Sequence, residues 1–189
     1  MTFGEEHNSY DDAVNGAVNK LTQRLREVLV ECSDPPTIFL RFTRELQRVY
    51  DITKGFLAIR EGDMTRFLAV ATFSNGTVRK NLSLKLPSAP SLFEKVADDG
   101  KLYTESFAEL CDGNLIERRL LLDDDTRAFM LRPLKFDGRV VGLLGYSSDN
   151  PDAFVTFEEG LIDPALDEFG CVLGRMEQCE DSADAPDQL

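Results

Sequence analysis

Histidine is almost absent from this chain: His7 is the single one among 189 residues. A buried histidine base, a Ser-His-Asp arrangement and a haem held by an axial histidine therefore lack their defining residue, because His7 stands in a polar, acidic lead. Cysteine is scarce too. Cys32, Cys111, Cys171 and Cys179 form no C-x-x-C pair and none has a histidine nearby, so no zinc site is expected. On one helix, Cys171 and Cys179 would be separated by about 12 Å of rise, too far for a disulfide. All four read as reduced thiols. No apolar run reaches the roughly 20 residues of a membrane span. Met1 to Asp12 has neither the basic lead nor the apolar stretch of a secretory signal. The expectation is a cytoplasmic protein.

Basic charge is missing locally. From Val140 to Leu189 there are 12 acids and one base, Arg175, which accounts for −11 of the net −13; residues 1–139 hold 22 acids and 20 bases. Phosphate binding needs clustered Lys and Arg, so nucleic acid and anionic membrane surfaces are excluded as partners. The acidic block reads as a solubilising face and a disordered tail over 177–189. There is no Gly-rich phosphate loop and no paired-carboxylate motif. Asp123-Asp124-Asp125 are adjacent acids pointing in different directions, whereas a calcium loop spaces its ligands at alternate positions, so no metal is expected.

What is present suffices for one packed domain: 42% hydrophobic and 29% charged residues in a chain of this length. After a lead over 1–11 read as disordered, apolar residues Val14, Val18, Leu21, Leu25, Val28 and Cys32 recur at spacings of 4, 3, 4, 3, 4. That is a heptad seam, and it predicts a helix over 12–32. Asp34 as N-cap and Pro35 at the first helical position start a second helix, expected to run to about Tyr50.

Strand patterns follow at 55–60, 65–73 and 78–86, with Asn75-Gly76 as a hairpin turn between the last two. Ser91-Leu92-Phe93-Glu94 is a capping box for a short helix ending at Gly100. A strand at 101–105 and a helix at 114–122 come next. Residues 128–136 and 139–147 form a hairpin across Asp137-Gly138. A second capping box, Thr156 to Glu159, precedes a last helix with Ile162, Leu166, Phe169, Leu173 and Met176 again at 4, 3, 4, 3. Pro164 either kinks that helix or opens it after Asp163.

This order resembles the GAF domain, a small-molecule sensor module of phosphodiesterases, phytochromes and many bacterial regulators. The resemblance covers roughly 35–176. Its most specific piece is Met130-Leu131-Arg132-Pro133-Leu134-Lys135-Phe136-Asp137-Gly138-Arg139-Val140-Val141-Gly142-Leu143-Leu144-Gly145-Tyr146, similar to the family's last two strands and tight turn. Ser91 to Ala97 followed by Gly100-Lys101, and Phe157-Glu158-Glu159, add to it. The resemblance implies an α+β fold over 34–176: a central antiparallel sheet of about six strands, with N- and C-terminal helices packed on one face. It places any ligand pocket on the other face, under the Pro87 to Leu122 region.

Specialised branches can be tested by residue. Members that bind cyclic nucleotides carry a basic residue after an Asn and an Asp-Glu later; here Asn150 precedes Pro151, and Glu158-Glu159 follows Phe154. Bilin binders need a histidine after their cysteine, but Asp112 follows Cys111. Neither haem nor bilin is expected, and no cofactor is identified. Candidate ligand-binding residues are Arg132, Ser91, Tyr103, Glu105 and Cys111. Arg132 lies in an apolar strand and requires either a ligand anion or a helix acid as partner. Ser91 heads a helix whose backbone donors can take an anion.

The expected function is a regulatory sensor, not an enzyme, that binds an unidentified small molecule and signals through its terminal helices in a parallel homodimer. The signal would pass to a separate partner protein. The alternative is a dimerisation or protein-interaction module with no ligand, and a thiol-based reductase is the remote one.

Overall fold

The computed structural model describes residues 5–60, 67–86, 91–157 and 160–183. Two helices, α1 (Glu5–Glu31) and α2 (Pro35–Leu46), lead into three strands: β1 (Lys54–Arg60), β2 (Phe67–Ser74) and β3 (Thr77–Lys85). Helix α3 (Leu92–Asp99), strand β4 (Tyr103–Glu105) and helix α4 (Leu115–Leu121) follow. The hairpin of β5 (Ala128–Phe136) and β6 (Arg139–Ser148) and the closing helix α5 (Asp163–Ala183) complete the chain. The six strands form one antiparallel sheet in the order β3-β2-β1-β6-β5-β4. This is the α+β architecture expected from the sequence.

Local chemistry accounts for the turns. Asn75 and Asp137 adopt positive φ (43° and 48°), and each is followed by a glycine that does the same, as a type I′ hairpin turn requires. Asp34 accepts a hydrogen bond from the Thr37 N–H at 2.9 Å and caps α2.

Strand alternation splits the sheet into two faces with separate cores. Leu57, Val70, Met130, Leu134, Leu144 and Tyr146 pack under α1, α2 and α5, whereas Phe56, Ala58, Phe67, Phe129, Leu131 and Leu143 pack under α3 and α4. On the first face, Phe42 and Phe169 meet with ring centroids 5.1 Å apart. Helix α5 lies against the β5 backbone at Gly170, where a Cβ would stand 2.3 Å from the Lys135 carbonyl oxygen. The buried Tyr146 hydroxyl lies 2.8 Å from Thr43 Oγ1, which in turn donates to the Phe39 carbonyl.

Several expectations are corrected at the ends of elements. The structure carries α1 back to Glu5, so residues 5–11 are helix rather than a disordered lead. Helix α5 likewise extends through 177–183, because no glycine or proline follows Gly174 until Pro186. Helix α2 stops at Leu46, with a turn from Gln47 to Tyr50. Helix α5 opens at Asp163 with Pro164 in its first turn; of the second capping box, Glu158 and Glu159 lie outside the described residues. The seam of α1 is covered within the chain from Leu21 onward: Leu21, Leu25 and Val28 are buried with residues of α2 and α5. Arg26 pairs with Glu168 at 3.0 Å beside them.

Candidate functional site

The layer opposite the terminal helices is organised by Glu117, which is fully buried. Asn114 caps α4 by accepting from the Ile116 and Glu117 N–H groups at 3.0 and 3.1 Å. The Glu117 carboxylate accepts from the Asn114 N–H at 2.9 Å, completing a capping box. It also accepts from Ser91 Oγ at 2.5 Å, the Leu92 N–H at 3.1 Å and the Phe93 N–H at 3.0 Å. One side chain thus caps its own helix and supplies the anion at the N-terminus of α3. Ser91 stands where the sequence places it, and its Oγ accepts from the Glu94 N–H at 3.1 Å. The anion that this helix end favours is an internal one.

Beneath α3 the space is filled by rings. Phe56 stacks on Phe93 with centroids 4.9 Å apart, and Tyr103 on Phe129 at 5.9 Å. Gly145 makes the first stack possible: a Cβ there would lie 2.0 Å from Phe56 Cε1. Cys111 is buried in the same core, and burial pushes its thiol above the ordinary value. Glu105 accepts from its neighbour Phe107 N–H at 3.0 Å. Arg60, at the end of β1, pairs with Glu94 at 3.1 Å and lies 4.7 Å over the Phe67 ring.

Four of the five candidate residues share this side of the sheet. Ser91, Tyr103, Glu105 and Cys111 gather around α3, β4 and the start of α4. Arg132 does not join them. Its guanidinium is on the α5 side, 3.1 Å from Asp163 and 3.6 Å from Asp167, so the partner it takes is a pair of helix acids. Phe154 is buried near Phe157 in the terminal-helix core, also away from α3. Cys32 packs against that core and Cys171 and Cys179 lie on α5, so no second cysteine joins Cys111. Among the described residues no three His, Cys, Asp or Glu side chains converge as metal ligands. No helix among them is long and apolar enough to cross a membrane.

Beside α4 the same face opens into a groove of about 670 Å³, lined by β1, β2, β3 and α4. Leu82, Leu84 and Leu120 supply apolar wall, and Lys54, Arg79 and Arg119 bring charge. Lys54 Nζ donates to the carbonyls of Arg119 (2.9 Å) and Leu122 (2.5 Å), holding the end of α4. Burial lowers the affinity of that amine for its proton, partly offset by Asp123. Ser147 Oγ donates to the Leu121 carbonyl from β6, a second tie. The sequence reads Arg79 as a solvated residue after the Asn75-Gly76 turn and gives no role to Lys54, Arg119 or Glu117. The Asn114-x-x-Glu117 spacing was a readable capping signal, but nothing local brings Lys54, Arg79 and Arg119 to one groove.

Sheet order, helix layers and this divided core define the GAF fold, and the chain is a GAF-like domain. No family model and no curated protein matches its sequence. Solved structures match it over most of their length. The GAF domain of a phosphoenolpyruvate-protein phosphotransferase from Coxiella burnetii aligns with TM-score 0.70 at 14% identity, covering 88% of this chain and 98% of that one. The GAF domain of a two-component sensor histidine kinase from Bacillus halodurans gives 0.60 at 14% identity, covering 79% and 99%. A free methionine-R-sulfoxide reductase from Neisseria meningitidis, in complex with its substrate, gives 0.57 at 12% identity, covering 89% and 93%. The neighbours thus include regulatory domains and enzymes on one fold.

Proposed function

We propose that this chain is a regulatory sensor domain that takes a small molecule in the groove beside α4. In this reading the bound state is passed to α1 and α5 in a parallel homodimer and read by a separate signalling protein. The observation that carries it is the groove itself: a cavity of about 670 Å³ on the sheet face away from the terminal helices, within the size range of small-molecule sites. Lys54, at the groove, begins β1, and β1 runs through the sheet beneath α2, so occupancy and helix packing share one strand. Native mass spectrometry of the purified protein, followed by a thermal-shift screen against small metabolites, tests this reading. The expected result is a retained or added ligand that Leu84→Trp, which fills the groove, displaces. No ligand in either experiment overturns it.

A second reading, an interaction module without a ligand, draws on a different observation. The space under α3 is packed with Phe56, Phe93 and Phe129, and Glu117 occupies the helix N-terminus. That reading expects Leu84→Trp to leave every function of the domain intact. A reductase would draw on Cys111, whose thiol is buried and whose ionisation burial disfavours, with the other three cysteines elsewhere.

A further inference from the structure

Positive charge gathers in the groove beside α4, where Asp123 acts on Lys54. Arg79 on β3 and Arg119 on α4 reach it from the sheet and from the helix, and no carboxylate lines it, in a chain with 34 acids and a net charge of −13. Among the described residues neither guanidinium has an ion pair or a hydrogen bond. Six of the other arginines, Arg24, Arg26, Arg41, Arg48, Arg60 and Arg132, face acids; of the unpaired ones, Arg79 and Arg119 are the two that line this groove. The helix end that carries Arg119 is also held in place, by Lys54 and Ser147.

The rest of the groove is not built for a bare ion. Leu82, Leu84 and Leu120 offer apolar surface, and Leu84 is 41% exposed on the edge strand β3. Thr72, Ser74, Asn75 and Thr77 add neutral hydrogen-bonding groups. Guanidinium groups recognise carboxylates and phosphates by charge-assisted hydrogen bonds, and apolar wall gains by covering hydrocarbon.

We infer that the groove takes an organic anion with an apolar body, its carboxylate or phosphate held by Arg79 and Arg119 and its body laid on Leu82, Leu84 and Leu120. This rests on the sensor reading above and names the class of molecule sensed. Two fluorescent probes test it on the full chain: 8-anilinonaphthalene-1-sulfonate, and N-phenyl-1-naphthylamine, the same aromatic body without the sulfonate. The anionic probe is expected to bind at one saturable site and the neutral one at least about tenfold more weakly. Arg79→Gln and Arg119→Gln, both at exposed positions, should each weaken the anionic probe about tenfold and leave the neutral one unchanged. Leu84→Trp should block both. Displacement by octanoate rather than octyl phosphate, or the reverse, separates a carboxylate from a phosphate ligand; displacement by neither overturns the inference. If both probes bind equally and the arginine variants change nothing, the anion assignment falls while a ligand groove stands. If neither probe binds, both readings fall.

Discussion

Glu117 is the residue on which the α3–α4 layer turns. Its carboxylate accepts from four donors spread over two helix starts, Ser91, Leu92, Phe93 and Asn114. Removing it leaves those buried donors unmatched, so Glu117→Ala should cost about 3–5 kcal/mol in chemical denaturation. Glu117→Gln should recover little, because its amide N–H would face donors. A loss below about 1 kcal/mol would show that water replaces the carboxylate. Cys111 offers a second test. Its thiol is held above the ordinary 9.0 by burial, so its contribution to stability is intact below that value and is lost as pH rises through the higher value of the folded state. Above pH 9 the wild type should therefore lose stability faster than Cys111→Ala. At neutral pH a thiol reagent should modify exposed Cys179 in the folded protein and reach Cys111 only on unfolding.

At the scale of elements, β6 works because it is interrupted by glycine. Gly145 lies across from Phe56 in the ladder, and the Phe56 ring occupies the space a side chain would need. Gly145→Ala should push that ring off Phe93 and cost about 1–3 kcal/mol, visible as a lowered thermal midpoint. Arg132 in β5 is a milder case. Its partners on α5 are accessible, Asp163 39% and Asp167 71% exposed at the side chain, so an orphaned acid there is solvated. Arg132→Ala should cost no more than about 2 kcal/mol, much of it lost packing of the stem. Binding at the groove beside α4 should be unchanged, since Arg132 faces the other layer.

At the scale of the whole molecule, α1 runs on before Leu21. Residues 5–20 continue the helix by about 24 Å, and Gly16, Ala17, Asn19 and Lys20 are exposed. The seam positions Val14 and Val18 fall in this segment. Leu21, Leu25, Val28 and Leu29 belong to the domain core, so a deletion reaching Ser33 would open that core and could not report on association. Deleting residues 1–20 leaves these core residues in place. Light scattering at tens of micromolar should give a dimer for the full chain and a monomer for the deletion; a monomeric full chain, or a dimeric deletion, refutes pairing through α1.

The sequence by itself determined the order of elements, both type I′ hairpins, the cap at Ser91 and the α+β class, because each rests on chemistry within a few residues: turn backbones, caps and apolar period. It also carried the resemblance that the fold bears out. Tertiary structure decided which partners those residues meet. Arg132 alternates correctly in its strand, yet only the packing of α5 supplied Asp163 and Asp167. Ser91 was a cap in the sequence, but the anion completing it comes from Glu117, 26 positions later. Lys54, Arg79 and Arg119 carry no common local pattern; the antiparallel pairing of β1, β2 and β3 and the seat of α4 bring them to one groove. Charge acts through space, and nothing in local spacing reports the distances that folding sets.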